Sequence, residues 1–139
     1  TAVSADHLEY IVEDDFNIMK QAGTVAVSLP TASAYLNQPV LPARKLLEAR
    51  IPVAVATDFN PGSAPVSDLL FSMNLAVTLQ RMTADEVLLG VTTHAAKALN
   101  LHDVGKLQTG YKPEFLLLEI DSLEEWIYGF RSEIVPERV

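Results

Sequence analysis

The chain of 139 residues contains no cysteine, so neither a disulfide framework nor a zinc-thiolate centre can be built from it. That absence favours a reducing, cytoplasmic setting. No uninterrupted apolar run approaches the roughly 18 residues that a membrane-crossing helix needs, and no signal-peptide pattern is visible, so no membrane role is expected. Positive charge is scarce. Ten Lys and Arg stand against 18 Asp and Glu, and the formal net charge of -8 repels nucleic-acid phosphates and anionic lipid surfaces. Nucleic acid is therefore not an expected partner. Low complexity is missing too, because 49% hydrophobic and 20% charged residues are the balance of a globular chain with a substantial core. Nothing repeats at a solenoid period.

What is present is an alternation of strand-like and helix-like patterns. Ala2 to Ala5 reads as a short strand ending at Asp6 and His7. Val12, Phe16 and Met19 then fall at i, i+4 and i+7, a helical stripe with Glu13, Asp14 and Asp15 at its amino end and Gly23 as its stop. Thr24 to Leu29 is a second strand closed by Pro30, and a loop through Tyr35 and Asn37 leads to Pro42, suited to the first turn of a helix carrying Leu46 and Leu47. Pro52 to Thr57 is the third strand. A long helix from about Val66 to Met82 carries apolar residues on nearly every side, which predicts burial between layers. Thr83-Ala84-Asp85-Glu86 fits a capping box at the start of a short helix to Leu89, and Thr93 to Leu99 reads as another. Beyond Gly105, Gly110 and Pro113, Phe115 to Ile120 reads as a strand and Leu123 to Tyr128 as a helix; the tail after Arg131 is mixed.

Apolar strands alternating with helices imply a parallel α/β sheet, since parallel neighbours need crossover connections. A closed barrel and an open doubly wound sheet both fit. A complete (β/α)8 barrel takes about 250 residues, so this chain is not a whole one. Its opening at Thr1, inside an apparent strand, reads as that of a fragment or processed chain.

One segment points to chemistry. The run Val53-Ala54-Val55-Ala56-Thr57 stops at Asp58 and is followed by Phe59-Asn60-Pro61-Gly62-Ser63, so a buried strand delivers a carboxylate to the place where parallel sheets collect ligands. Taken alone, an aspartate before Asn-Pro-Gly is more often a turn former, and His7 a hydrogen-bonded structural histidine.

The segment resembles that of the imidazolonepropionases, members of the metal-dependent amidohydrolase superfamily. The similarity extends through Ser4-Ala5-Asp6-His7-Leu8, Gly23-Thr24-Val25-Ala26-Val27, Thr92 with Ala95 to Leu99, and Gly105-Lys106-Leu107 with Gly110. It implies the later βα units of a TIM-type (β/α)8 barrel over 1–104, with 105–139 contributing to a small terminal β domain. It further implies opening of the ring amide of 4-imidazolone-5-propanoate to N-formimidoyl-glutamate in histidine degradation, with a zinc or iron ion as cofactor. On that resemblance Asp58 is a metal ligand and proton carrier, His7 touches substrate or the attacking water, and Asn60, Gly62 and Ser63 contact substrate. The loop leading into the helix near Val66 would then favour an anion.

Departures from the family pattern bear on this. The expected His-x-His pair and a further histidine ligand are absent, and Gly110-Tyr111-Lys112-Pro113-Glu114 replaces the usual Gly-Lys-x-Ala-Asp element. Asp58 is left as one metal ligand, the remaining ligands are expected from the rest of the barrel, and the isolated chain is expected to be inactive. A homodimeric parent stays open. His94, His102, Asp6, Trp126, Tyr128 and Phe130 read as structural or solvated. Two alternatives accompany the leading one: another amidohydrolase such as a cyclic deaminase, and a non-catalytic acidic α/β binding domain.

Overall fold

The computed structural model describes residues 2–129 and the pair Glu137–Arg138. Three short strands, β1 (Ser4–Asp6), β2 (Val25–Ser28) and β3 (Val53–Val55), form a parallel sheet in the order β1-β2-β3. Ala5 lies opposite Ala26, and Ala26 opposite Val53. Each strand is a residue or more shorter than its apolar run.

The crossovers explain the parallel order. After β1 a 3-10 turn (Glu13–Asp15) runs into α1 (Phe16–Ala22), which buries Phe16 and Met19 and stops at Gly23 with φ 70°. Glycine adopts that left-handed conformation without a Cβ penalty, so the expected stop is the observed one. Between β2 and β3 lie α2 (Pro30–Tyr35) and α3 (Ala43–Glu48), the latter with Pro42 at its N-cap. The region around Tyr35 was expected to be loop, with Pro30 closing a strand. Instead Pro30 opens a helix, because its fixed φ and missing N–H suit a first turn, and Thr31, Ala32 and Ser33 are buried behind it.

Side chains alternate between the two faces of the sheet. Ala26, Val53 and Val55 join Phe16, Met19, Leu46, Met73 and Val87 on one side. Val25, Val27 and Ala54 join Leu29, Ala32 and Ala64 on the other. Burial on both faces is what a parallel sheet requires. Leu46, Ile51, Val53 and Val87 are fully enclosed, each worth about 1.5 to 3 kcal/mol, so the sheet can hold a few strained residues at its rim.

After β3 come α4 (Leu69–Gln80), α5 (Ala84–Val91) and α6 (Thr93–Ala98). α4 is buried between layers as expected, packing Met73 and Ala76 inward between β3 and the neighbouring helices, but it also buries the polar Ser72, Asn74 and Gln80 and leaves Leu69 and Leu79 exposed. Each of these side chains makes at least one hydrogen bond, although Asn74 Oδ1 and Gln80 Nε2 have no partner among the described residues. Thr31 Oγ1 and Ser72 Oγ are 2.8 Å apart, Ser28 Oγ donates to Gln80 Oε1 at 2.6 Å, and Asn74 Nδ2 donates to the carbonyls of Ile127 and Tyr128 at 2.9 and 3.1 Å. The capping box forms as expected, with Thr83 Oγ1 accepting from Glu86 N at 3.2 Å and Glu86 Oε2 accepting from Thr83 N at 2.8 Å. Arg44 Nη2 reaches Glu86 Oε1 at 2.6 Å and holds that carboxyl below the usual glutamate range, against the opposing effect of burial.

The last part is only partly regular. Of the expected strand from Phe115 to Ile120, just β4 (Leu116–Leu117) forms, paired antiparallel with β5 (Glu137–Arg138). α7 (Leu123–Tyr128) occurs where expected, capped by Ser122, and sends Trp126 and Ile127 into the cluster that holds Phe16, Met19 and Leu46. Phe130 and most of the tail lie outside the described residues. Among the described residues no helix is long and apolar enough to cross a membrane.

Candidate active site at the carboxyl ends of the strands

The candidate residues gather at one end of the sheet. His7 follows the last residue of β1 directly, Asp58 stands three residues beyond β3, and β2 runs between them. Two strand spacings put those strand ends about 10 Å apart. Both residues adopt positive φ, 69° at His7 and 54° at Asp58, and Leu8 does the same at 63°. For non-glycine residues such conformations cost on the order of 1 to 3 kcal/mol each, and they concentrate at sites where the surrounding fold dictates the geometry.

Around Asp58 the loop is organised by Asn60. Its Oδ1 accepts from the backbone N–H of Gly62 at 2.9 Å and of Ser63 at 2.8 Å, while its Nδ2 donates to Asp58 O at 2.6 Å and to Ser63 Oγ at 3.0 Å. Asn60 N donates to Ala64 O at 3.0 Å, closing the turn onto a fully buried alanine. Two acceptances and two donations exhaust the side-chain amide, so in this conformation it has nothing left for a ligand. The loop thereby presents the half-buried Asp58 carboxylate, whose Oδ2 is 3.4 Å from Asn60 Nδ2 and whose Oδ1 has no hydrogen bond among the described residues. Gly62 does not have positive φ, and an added Cβ would meet only Asn60 Oδ1 at 3.4 Å, an ordinary contact. Incompatibility of the turn with a side chain there is therefore not a reason for glycine.

His7 is exposed, with Nδ1 3.1 Å from Glu9 Oε1. Glu9 and its second partner Ser33 were not singled out from the sequence, because a carboxylate two residues past a strand carries no distinguishing pattern. The expected anion preference at the start of α4 is also corrected. The helix begins at Leu69, and Asp68 caps it by accepting from Leu70 N at 2.9 Å, so a carboxylate already occupies that end. His94 is structural as expected: its ring is 3.0 Å from Val53 O, and because a carbonyl only accepts, Nδ1 carries the proton.

The structure thus unites Asp58, Asn60, Gly62 and Ser63 in one loop and holds His7 across β2 from them. Among the described residues no three His, Asp or Glu side chains are arranged to hold a metal ion.

A parallel sheet backed by helices, with polar residues at its carboxyl rim, is an architecture shared by many hydrolases, and the sequence match narrows it. The amidohydrolase family model matches residues 2–135, and the chain belongs to that family. Within it, the chain is 48% identical to an imidazolonepropionase of Cupriavidus pinatubonensis over 131 residues, and 41% identical to that of Caldanaerobacter subterraneus over 130 residues. Each match covers 93% of this chain and 31% of the relative, so the chain spans about a third of the length of these proteins. The fold is also similar to a zinc-bound adenosine deaminase of Xanthomonas campestris, with a TM-score of 0.83 at 21% identity over 90% of this chain and 32% of that one. A guanine deaminase of E. coli superposes with a TM-score of 0.73 at 21% identity, over 84% of this chain and 28% of that one.

Proposed function

We propose that residues 1–139 are part of a metal-dependent hydrolase that opens the ring amide of 4-imidazolone-5-propanoate, giving N-formimidoyl-glutamate. The observation that carries this reading is the 41 to 48% identity to imidazolonepropionases over 93% of the chain, a span that includes Asp58 and the Asn60-Pro61-Gly62 turn. Residues 1–104 would supply later βα units of a (β/α)8 barrel and residues 105–139 part of a small β domain. The parallel β1-β2-β3 order and the separate β4-β5 ladder support that division.

The described residues alone do not fit a catalytic metal, so no step is drawn through one. Asp58 is proposed as one ligand of a zinc or iron ion whose other ligands come from the remaining barrel strands. In the reaction, water adds to the ring carbonyl carbon, the ring C–N bond breaks, and the departing nitrogen takes a proton. In this reading His7 contacts the substrate or the attacking water, and Asp58 carries a proton. Ser63 and Gly62 border the substrate, with Asn60 acting through the loop it holds together.

The test supplies the missing barrel strands, in one polypeptide or as a complementing fragment, and follows loss of 4-imidazolone-5-propanoate together with metal content after dialysis. The completed protein is expected to retain metal and open the ring, and the 139-residue chain alone to do neither. Turnover with stoichiometric metal by the isolated chain would overturn the shared-site reading. A completed protein inert to the imidazolone but releasing ammonia from an aminopyrimidine or purine would move the assignment to a deaminase.

A further inference from the structure

Glu9 is the feature at this rim that the reaction above leaves unused. In a continuing strand, side chains two apart stand about 6.6 Å from each other. Here consecutive left-handed residues, His7 at φ 69° and Leu8 at 63°, fold the chain back so that Glu9 Oε1 comes within 3.1 Å of His7 Nδ1. Leu8 packs against the cluster that holds Phe16, Met19 and Leu46 and pins the bend. Ser33, buried on α2, shares its single Oγ proton between the same Glu9 oxygen at 3.3 Å and Leu29 O at 3.4 Å. The carboxylate is the sheltered member of the pair, with side-chain exposure of 12% against 51% for His7.

We propose that Glu9 is a positioning residue that holds the His7 proton on Nδ1 and leaves Nε2 free as an acceptor at the active site. This rests on the active-site role given to His7 above. An ionised carboxylate can only accept, so the bond to Glu9 requires an Nδ1–H, and in the neutral ring the other nitrogen then keeps its lone pair. A proton acceptor at the rim needs that nitrogen unprotonated and the ring held still. Ser33 steadies the carboxylate from α2, so the orientation of the ring is coupled to the element that follows β2.

The chain contains three histidines, and the other two serve as references. His94 must be Nδ1-protonated to bond Val53 O, and His102 has no hydrogen bond among the described residues. Ring 15N shifts are read in the labelled chain above the ordinary histidine titration range. His7 should show the Nδ1–H pattern in the wild type and in Glu9→Gln, which keeps an acceptor, and should shift to the pattern of His102 in Glu9→Ala, with His94 unchanged. An Nε2–H pattern in the wild type, or an identical His7 pattern in Glu9→Ala, overturns the proposal. Should Glu9→Ala disturb His94 and so the fold, Ser33→Ala decides: mixed His7 tautomers support the proposal and an unchanged pattern overturns it. In the completed protein, Glu9→Ala should lower kcat by about ten- to a hundredfold with little change in KM, and Glu9→Gln should recover most of it. Full turnover in His7→Ala would remove His7 from the active site while leaving the tautomer result standing, so the two readings fail separately.

Discussion

The two ends of the three-stranded sheet solve opposite problems. At the amino ends, polar groups are consumed internally: Thr24 Oγ1 donates to Ala2 O at 2.9 Å, Val25 N to Val3 O at 2.9 Å, and His94 caps the outward-facing carbonyl of Val53 at 3.0 Å. At the carboxyl ends, His7, Leu8 and Asp58 sit in left-handed backbone, the His7 ring is exposed, and the Asp58 carboxylate is only loosely held. Left-handed backbone occurs at the amino end too, at Arg50 with φ 64°, so what sets the carboxyl end apart is the exposed His7 ring and the loosely held Asp58 carboxylate. That is the division expected of a barrel that works at its carboxyl face, the arrangement proposed above.

Substitutions on either side can break that contrast. The largest effect is expected from Asp58→Asn in the completed protein, where turnover should fall between about a hundred- and ten-thousand-fold while thermal unfolding stays near the wild-type midpoint. A collapse of the midpoint would make the carboxyl rim structural as well. At the amino end, Gly105 has φ 85°, and an added Cβ would lie 2.8 Å from Thr92 O and 3.0 Å from Ala96 Cβ. Gly105→Ala should cost about 2 to 4 kcal/mol in urea unfolding and leave turnover per folded molecule unchanged. His94→Ala is the mildest, losing about 1 kcal/mol as the Val53 carbonyl gives up its partner, again with no change in kcat. A loss of turnover in His94→Ala would blur the two ends.

Much of this architecture was legible from the residues. The three strands, Gly23 as a stop, Pro42 before α3, the Thr83 capping box and α7 follow from short-range patterns whose physics is local. The failures share a cause. Pro30 reads equally well as the end of a strand or the start of a helix, and only the burial of Thr31 and Ser33 selects the helix. The inward polar residues of α4 disobey the hydrophobic pattern because Thr31, Ser28 and the carbonyls of Ile127 and Tyr128 bond to them from distant parts of the chain. Likewise the positions of Asp58 and His7 at the rim were readable from strand endings, whereas the pairing of His7 with Glu9 depends on two φ values that no sequence pattern announces.

The Asn60 hub has a further consequence, for the covalent lifetime of the loop. Asparagines in exposed turns lose their amide when the backbone nitrogen of the next residue attacks the side-chain carbonyl, and that route needs an N–H. Pro61 has none. A separate reaction, attack of Asn60 Nδ2 on the Asn60 carbonyl, would cut the chain before Pro61, and that nitrogen is held by Asp58 O at 2.6 Å and Ser63 Oγ at 3.0 Å. The residue whose conversion to aspartate would set a second negative charge beside Asp58 is thus protected from ageing by its neighbour in the sequence and its bonds in the fold.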